Sequence, residues 1–251
     1  MTRPFEDAEI WFHMGTYFAS VGRYEQAIIC FHRIREAGEY SPRSWIGEAY
    51  CLDRLGRSAE AMQCGEKAWE MDPSDTDSLF MKGKALAHLG RYEEALEVLK
   101  TATRLDTSHI GAWYLMGNCA YHLGRYDQAV EWYKKATEYD PKFVKAWYNK
   151  GINYTDLSRF EDAIRCYDHC LLLNPGFAAA WRSKGASLAS LGRYLEAITC
   201  FDQAIVINPQ YAPAWIEKGK CLKKMDRDTE AEECFAVARG LPRRHELADI
   251  L

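Results

Sequence analysis

A pattern of 34 residues runs through this chain seven times without an insertion and takes up nearly every residue from Ala8 to His245. Its phase is set by Ala27, Ala61, Ala95, Ala129, Ala163, Ala197 and Ala231, which stand 34 apart and are never replaced. With these alanines at place 20, the repeats span 8–41, 42–75, 76–109, 110–143, 144–177, 178–211 and 212–245. Place 4 holds Trp11, Trp45, Trp113, Trp147, Trp181 and Trp215, with Leu79 in the third repeat. Place 8 holds Gly15, Gly83, Gly117, Gly151, Gly185 and Gly219, with Ala49 in the second. A unit this short cannot bury its apolar face alone, so neighbours must stack and share a core that runs along the array.

Within each repeat, residue chemistry divides the 34 places into two helical stretches of about a dozen residues. A glycine (Gly22, Gly56, Gly90, Gly124, Gly192) reaches the left-handed conformation that ends a helix, and an aromatic follows two residues later (Tyr24, Tyr92, Tyr126, Phe160, Tyr194). Pro73, Pro141, Pro175 and Pro209 lack the amide hydrogen needed to continue the second helix, so each closes one repeat and opens the next. Gly at place 8 and Ala at place 20 leave no bulk where the paired helices cross, and Trp at place 4 fills the space between pairs.

These residues resemble the signature of the tetratricopeptide repeat family over all seven units. The fifth repeat follows it closely, with Trp147, Lys150, Gly151, Tyr154, Phe160, Ala163 and Pro175 in the family's positions. Departures are local. The second repeat has Ser58 at the turn aromatic and Gly65 in place of a large apolar residue, the fifth has Ser158 for the turn glycine, and the seventh has Asp226, Asp228 and Arg243 in place of Gly, Tyr and Pro. The resemblance implies an all-α, αα-hairpin solenoid coiled as a right-handed superhelix, a single array over 8–245. Residues 246–251 follow as a tail, whose Leu247, Ile250 and Leu251, with Leu241, are expected to cap the last repeat or to help chains stack end to end.

Composition narrows the function classes. With 32 basic and 36 acidic side chains the net charge is -4, which gives no broad cationic surface for a phosphate backbone, so nucleic acid is not the expected partner. No run approaches the ~18 apolar residues of a membrane helix, and residues 1–10 lack the apolar centre of a secretion signal, so a cytoplasmic protein without membrane contact is expected.

Eight of the nine cysteines recur at two places of the repeat, as packing residues do: Cys30, Cys64, Cys166, Cys200 and Cys234 at place 23, Cys51, Cys119 and Cys221 at place 10. Buried reduced thiols are the expectation, with no disulfide, metal or other cofactor. Cys166, His169 and Cys170 lie within one helical turn but fall short of the four ligands of a structural zinc. No Ser, Cys or Lys belongs to a recognisable nucleophile-base arrangement, and the chain is not expected to be an enzyme. His88 and His122 share place 13 of adjacent repeats and are read as solvated. Arg23, Arg57, Arg91, Arg125, Arg159, Arg193 and Arg227 all fall at place 16, at the end of the first helix in this reading. Each is followed by an acid at place 18 or 19, which balances it at the turn.

In the family, the first helices of successive repeats line a concave groove into which places 2, 5, 9, 12 and 13 point. On that basis the peptide-binding candidates are Phe12, Ile46, Tyr50, Phe80, Lys84, Tyr114, Asn118, Tyr121, Tyr148, Ile152 and Arg182, joined by Asn149 at place 6, with Lys220 and Lys223 at the far end. Rings flanked by amides suit a peptide or helix of a partner protein, because aromatic anchors give contact area at low entropic cost. The family's clamp for a terminal carboxylate is approached only by Asn118 and Asn149. Tyr114, Ala179 and Ser183 stand where its cations belong, so a carboxylate would lose its charge-assisted bonds there. A non-catalytic interaction scaffold is therefore the expected function, and self-association through the ends of the solenoid is the alternative.

Overall fold

The computed structural model describes residues 4–38 and 41–241, with side chains from Ala8 onward. Two compact units, Met1–Tyr139 and Asp140–Leu251, share the helices, and no strand occurs among the described residues. The first unit holds α1 (Pro4–Ser20), α2 (Tyr24–Glu36), α3 (Pro42–Arg54), α4 (Ser58–Met71), α5 (Thr76–His88), α6 (Tyr92–Leu105), α7 (Ile110–His122) and α8 (Tyr126–Tyr139). The second holds α9 (Val144–Asp156), α10 (Phe160–Leu173), α11 (Ala178–Ser190), α12 (Tyr194–Ile207), α13 (Ala212–Lys224) and α14 (Asp228–Gly240). Six of the first helices begin at 42, 76, 110, 144, 178 and 212, the opening residue of each repeat after the first. The tail residues Leu247, Ile250 and Leu251, and Arg243, lie outside the described residues.

Every hairpin turn is built the same way. The glycine after the first helix has positive φ (77° at Gly22, 75° at Gly56), and the amide of the following arginine reaches back five residues, Arg23 to the Phe18 carbonyl and Arg57 to that of Leu52, each at 2.8 Å. This satisfies carbonyls that the helix end leaves open. Ser158 (φ 57°) and Asp226 (φ 60°) hold the same conformation without glycine, which costs each turn some strain but not its shape. The arginine at place 16 is therefore not the end of the first helix: it is the residue that caps the start of the second, and its side chain makes no cap bond. The side chain forks instead onto an acid three residues on. Arg57 holds Glu60, Arg91 holds Glu94, Arg193 holds Glu196 and Arg227 holds Glu230, all at 2.6–2.7 Å. In these turns, and with Asp162 at Arg159, the cation is neutralised locally, while Arg125 reaches Glu93 of the preceding repeat; being exposed, these pairs add little stability.

Packing inside a hairpin turns on one contact. The ring at place 24 of the second helix lies flat on the glycine at place 8 of the first: a Cβ on Gly151 would stand 2.5 Å from the Tyr167 ring, and one on Gly185 would stand 2.7 Å from Phe201. Tyr167 and Phe201 are fully buried, so no side chain fits between them and the crossing helix. Between hairpins, the tryptophan does more than fill space. The Nε1–H of Trp113, Trp147, Trp181 and Trp215 donates to the carbonyl of Thr107, Pro141, Pro175 and Pro209 respectively, at 2.8–3.0 Å, and so ties the first helix to the connector before it. The connectors themselves are tightened by Asp72, Asp106, Asn174 and Asn208, whose side chains accept the amide two residues on.

The second hairpin breaks this scheme. Gly65 stands where the others carry a ring or Leu99, and a Cβ there would be 2.9 Å from the backbone nitrogen of Lys82, so α5 lies directly on α4. At place 4 of the next repeat, a buried Leu79 stands where the other repeats carry an indole. In the neighbouring hairpin, the ring of Phe31 lies against both Gly15 on α1 and Gly47 on α3.

Candidate functional site

In the first unit, α1, α3 and α5 present their inner faces side by side, and a cleft of about 450 Å³ opens between them. Its floor is the buried ring of Phe31. Ile46 and Tyr50 come from α3, Phe80 and Met81 from α5, and Thr16 and Ser20 from α1. The cleft exists because Gly47 contributes no side chain to its wall; a Cβ there would meet the Phe31 ring at 2.5 Å. Tyr50 is 40% exposed, a large ring facing the opening. Phe12 packs edge-on against Phe31 at 6.1 Å and carries the Arg43 guanidinium over its own face at 5.1 Å.

The two ends of this surface differ in polarity. Near the start of the helices, His109 lies on Phe80 at 4.9 Å. Its Nδ1 accepts the Ala112 amide at 3.1 Å, which leaves the proton on Nε2, facing Asp77 at 3.4 Å. Near the far end, Asp53 is buried, with 3% of its side chain exposed, beneath two basic side chains of α5: Lys84 Nζ at 2.8 Å and His88 Nδ1 at 2.5 Å. Burial works to raise the Asp53 carboxyl, but the bonds from His88 and Lys84 outweigh it and hold the group below its ordinary value of 3.8. A second buried acid, Glu48, faces the other way and binds His32 at 2.7 Å together with Arg35 on α2. Both acids sit on α3 and are buried, whereas the acids that pair with lysines between the later hairpins, Asp168 and Asp202, are about half exposed.

The twelve groove candidates therefore divide. Ile46, Tyr50 and Phe80 line the cleft, and Phe12 borders it. Lys84 is not a free cation for a ligand, because it neutralises Asp53. Farther along the unit, Tyr114 leans on Tyr133 at 5.8 Å, Asn118 accepts a 2.7 Å bond from the Tyr133 hydroxyl, and Tyr121 is half-buried against Tyr126. In the second unit Tyr148 and Asn149, read from the sequence as groove anchors, are each only 7% exposed. Phe177 covers Tyr148 at 4.8 Å, Tyr167 flanks it, and its hydroxyl meets that of Ser183 at 3.5 Å. Ile152 packs against the same cluster and Arg182 is half-buried.

Two kinds of residue on this face escape the repeat pattern. Gly47 and Asp53 owe their importance to neighbours in other repeats. The rings at place 34, His109 and Phe177, lie over the place-5 rings of their own repeats, Phe80 and Tyr148; the signal is present in the sequence, since Phe143 and Tyr211 share that place.

The remaining chemical candidates are accounted for by packing. His122 stacks on Tyr92 at 4.7 Å, while His88 serves Asp53, so the two share no site. His169 stacks on Trp147 at 4.5 Å, and burial pushes the thiols of Cys166 and Cys170 up to about 11 and about 12, which keeps them protonated and poor as metal ligands. All nine cysteines are buried and free. Among the described residues no helix is long and apolar enough to cross a membrane.

Comparison with known proteins follows the same division of the chain. The family described as anaphase-promoting complex, cyclosome, subunit 3 matches residues 20–102 and 58–136, and the tetratricopeptide repeat family matches 144–177 and 178–211. No curated protein matches the sequence. Among solved structures, the C-terminal part of a tetratricopeptide repeat protein from Cytophaga hutchinsonii superposes with a TM-score of 0.74 at 17% identity, over 94% of this chain and 96% of that one. YrrB, described as a tetratricopeptide protein with an unusual peptide-binding site, gives 0.62 at 21% identity, over 73% of this chain and 95% of its own. MamA from Desulfovibrio magneticus gives 0.63 at 23%, over 66% and 95%. At these identities the likeness is one of fold, and it agrees with the recurring Trp, Gly, Ala and Pro places and with the glycine-turned hairpins. The chain belongs to the tetratricopeptide repeat family.

Proposed function

We propose that this chain is a non-catalytic scaffold that holds a peptide or helical segment of another protein on the inner face of its first helices. The observation that carries the reading is the cleft over Phe31, where Ile46, Tyr50 and Phe80 offer an apolar depression large enough for one bulky side chain. The structural neighbour whose description mentions a peptide-binding site supports it by analogy of fold.

A library of random twelve-residue peptides displayed on phage and panned on the full chain tests this directly. Peptides should be recovered whose affinity falls about tenfold or more on Ile46→Glu or Phe80→Ala. They should be unchanged on Leu195→Glu, which alters an exposed outer residue. If every recovered peptide ignores the Ile46 substitution, the cleft is not the binding surface.

Self-association remains the second reading because of α1. Ile10 and Tyr17 are 55% and 63% exposed, with Met14 between them, on the face that in α3, α5 and α7 is covered by the preceding hairpin. There the same places hold small buried residues, Ser44, Ser78 and Ala112, then Cys51, Ala85 and Cys119. Sedimentation across a concentration series should show a dimer that Tyr17→Lys dissolves; a monomer at every concentration removes this reading.

A further inference from the structure

The cleft carries a marker for the chemistry of its occupant. Arg54, in the last turn of α3, donates its Nε–H to the Tyr24 hydroxyl at 3.1 Å and lies over the Tyr24 ring at 5.7 Å. Tyr24 in turn meets Tyr50, the exposed wall of the cleft, edge-on at 6.4 Å. The guanidinium of this exposed residue is thus held near Tyr50 by one ring and one hydroxyl. Among the described residues no carboxylate lies within ion-pair distance of it. The arginines of the turns are different: Arg57, only three residues on, has both ends of its fork taken up by Glu60. The nearest acid in sequence, Asp53, is already committed to Lys84 and His88. Helix C-termini favour cations in general, which accounts for the sign of the charge there, but the dipole alone does not orient a side chain against a tyrosine pair.

We propose that the segment bound in this cleft is an acidic one: it inserts a bulky apolar side chain over Phe31 and presents an Asp or Glu carboxylate to Arg54. Arginine is suited to that role because its planar fork takes both carboxylate oxygens at once, and Tyr24 holds it in place before the partner arrives. At the opposite end of the same face stands Asp77, so the segment runs with its acid toward the C-terminal ends of α1, α3 and α5. The inference rests on the reading of the cleft as a peptide site, and its test is arranged to separate the two.

Peptides recovered by display that depend on Ile46 are measured again on Arg54→Gln and Arg54→Lys, in 50 mM and 300 mM salt. Arg54 is exposed, and an unchanged melting temperature will show that these variants fold. The expected result is a shared Asp or Glu near the apolar anchor and a loss of about tenfold on Arg54→Gln that Arg54→Lys only partly restores. Replacing the peptide's acid by its amide should then cost the same amount on the wild type and little on Arg54→Gln. Peptides that need Ile46 but carry no acid, or that bind Arg54→Gln as tightly as wild type, overturn the acidic assignment and leave the cleft standing. Peptides that never depend on Ile46 overturn both.

Discussion

The second and sixth hairpins show what the repeat does when it is only scaffold and what changes when it is more. In the sixth, Trp181 ties back to Pro175, Phe201 is pressed onto Gly185, and Arg193 is closed by Glu196, all contacts repeated elsewhere in the chain. In the second, Gly65 replaces the ring, Ala49 replaces the glycine under it, and two buried acids bind Arg35 of α2 and Lys84 of α5. Recurrent residues explain stability. The second hairpin, where most of the departures gather, also supplies Ile46, Gly47 and Tyr50 to the cleft, so in a family whose fold is shared across functions it is where function is to be sought.

Four substitutions sharpen this contrast. The largest effect should come from the regular hairpin: Phe201→Ala empties a fully buried ring site and should cost about 3–5 kcal/mol in urea unfolding. A loss under about 1 kcal/mol would mean that the ring-on-glycine contact is not what holds a hairpin together.

Next, Asp53→Asn removes the charge that Lys84 and His88 share and should cost about 1.5–3 kcal/mol at neutral pH. The folded carboxyl lies below its unfolded value, so its contribution is present above that value and is lost as pH falls through the folded one. The gap between wild type and Asp53→Asn should therefore close in unfolding curves taken below the ordinary carboxyl value of 3.8. A gap that persists in acid assigns the loss to shape instead of charge.

Gly65→Ala pushes a methyl group into the backbone of α5. It should cost about 1–3 kcal/mol, less the gain of roughly 0.5–1 that alanine brings to a helix, and should alter the amide spectrum of α4 and α5. A stabilised variant would show that the close approach of these helices is relaxed in solution. The smallest effect belongs to the turns, where Arg193→Ala opens an exposed ion pair and should leave the melting temperature within experimental scatter.

The helices could be located from the sequence because their determinants are local and repeated: a glycine that must adopt positive φ, a proline that cannot continue a helix, and a period that returns the same face every 34 residues. The inner face was harder to read. Ile46, Tyr50 and Phe80 follow from place alone, but Tyr148 is buried because Phe177, in the connector that ends the same repeat, lies across it. Lys84 looks like a ligand-binding cation until Asp53, 31 residues earlier in the chain, is seen beneath it. Exposure on a stacked surface depends on what the connector or the neighbouring repeat lays over each side chain, and a residue's own place does not encode that.

The most direct test of the central claim is amide hydrogen exchange on the full chain with and without a displayed peptide that requires Ile46. Slower exchange confined to the inner helices α1, α3 and α5, with α2, α4 and α6 unchanged, is the predicted outcome. Protection that falls instead on the second helices, or in the second unit alone, would contradict the assignment of the cleft as the docking site.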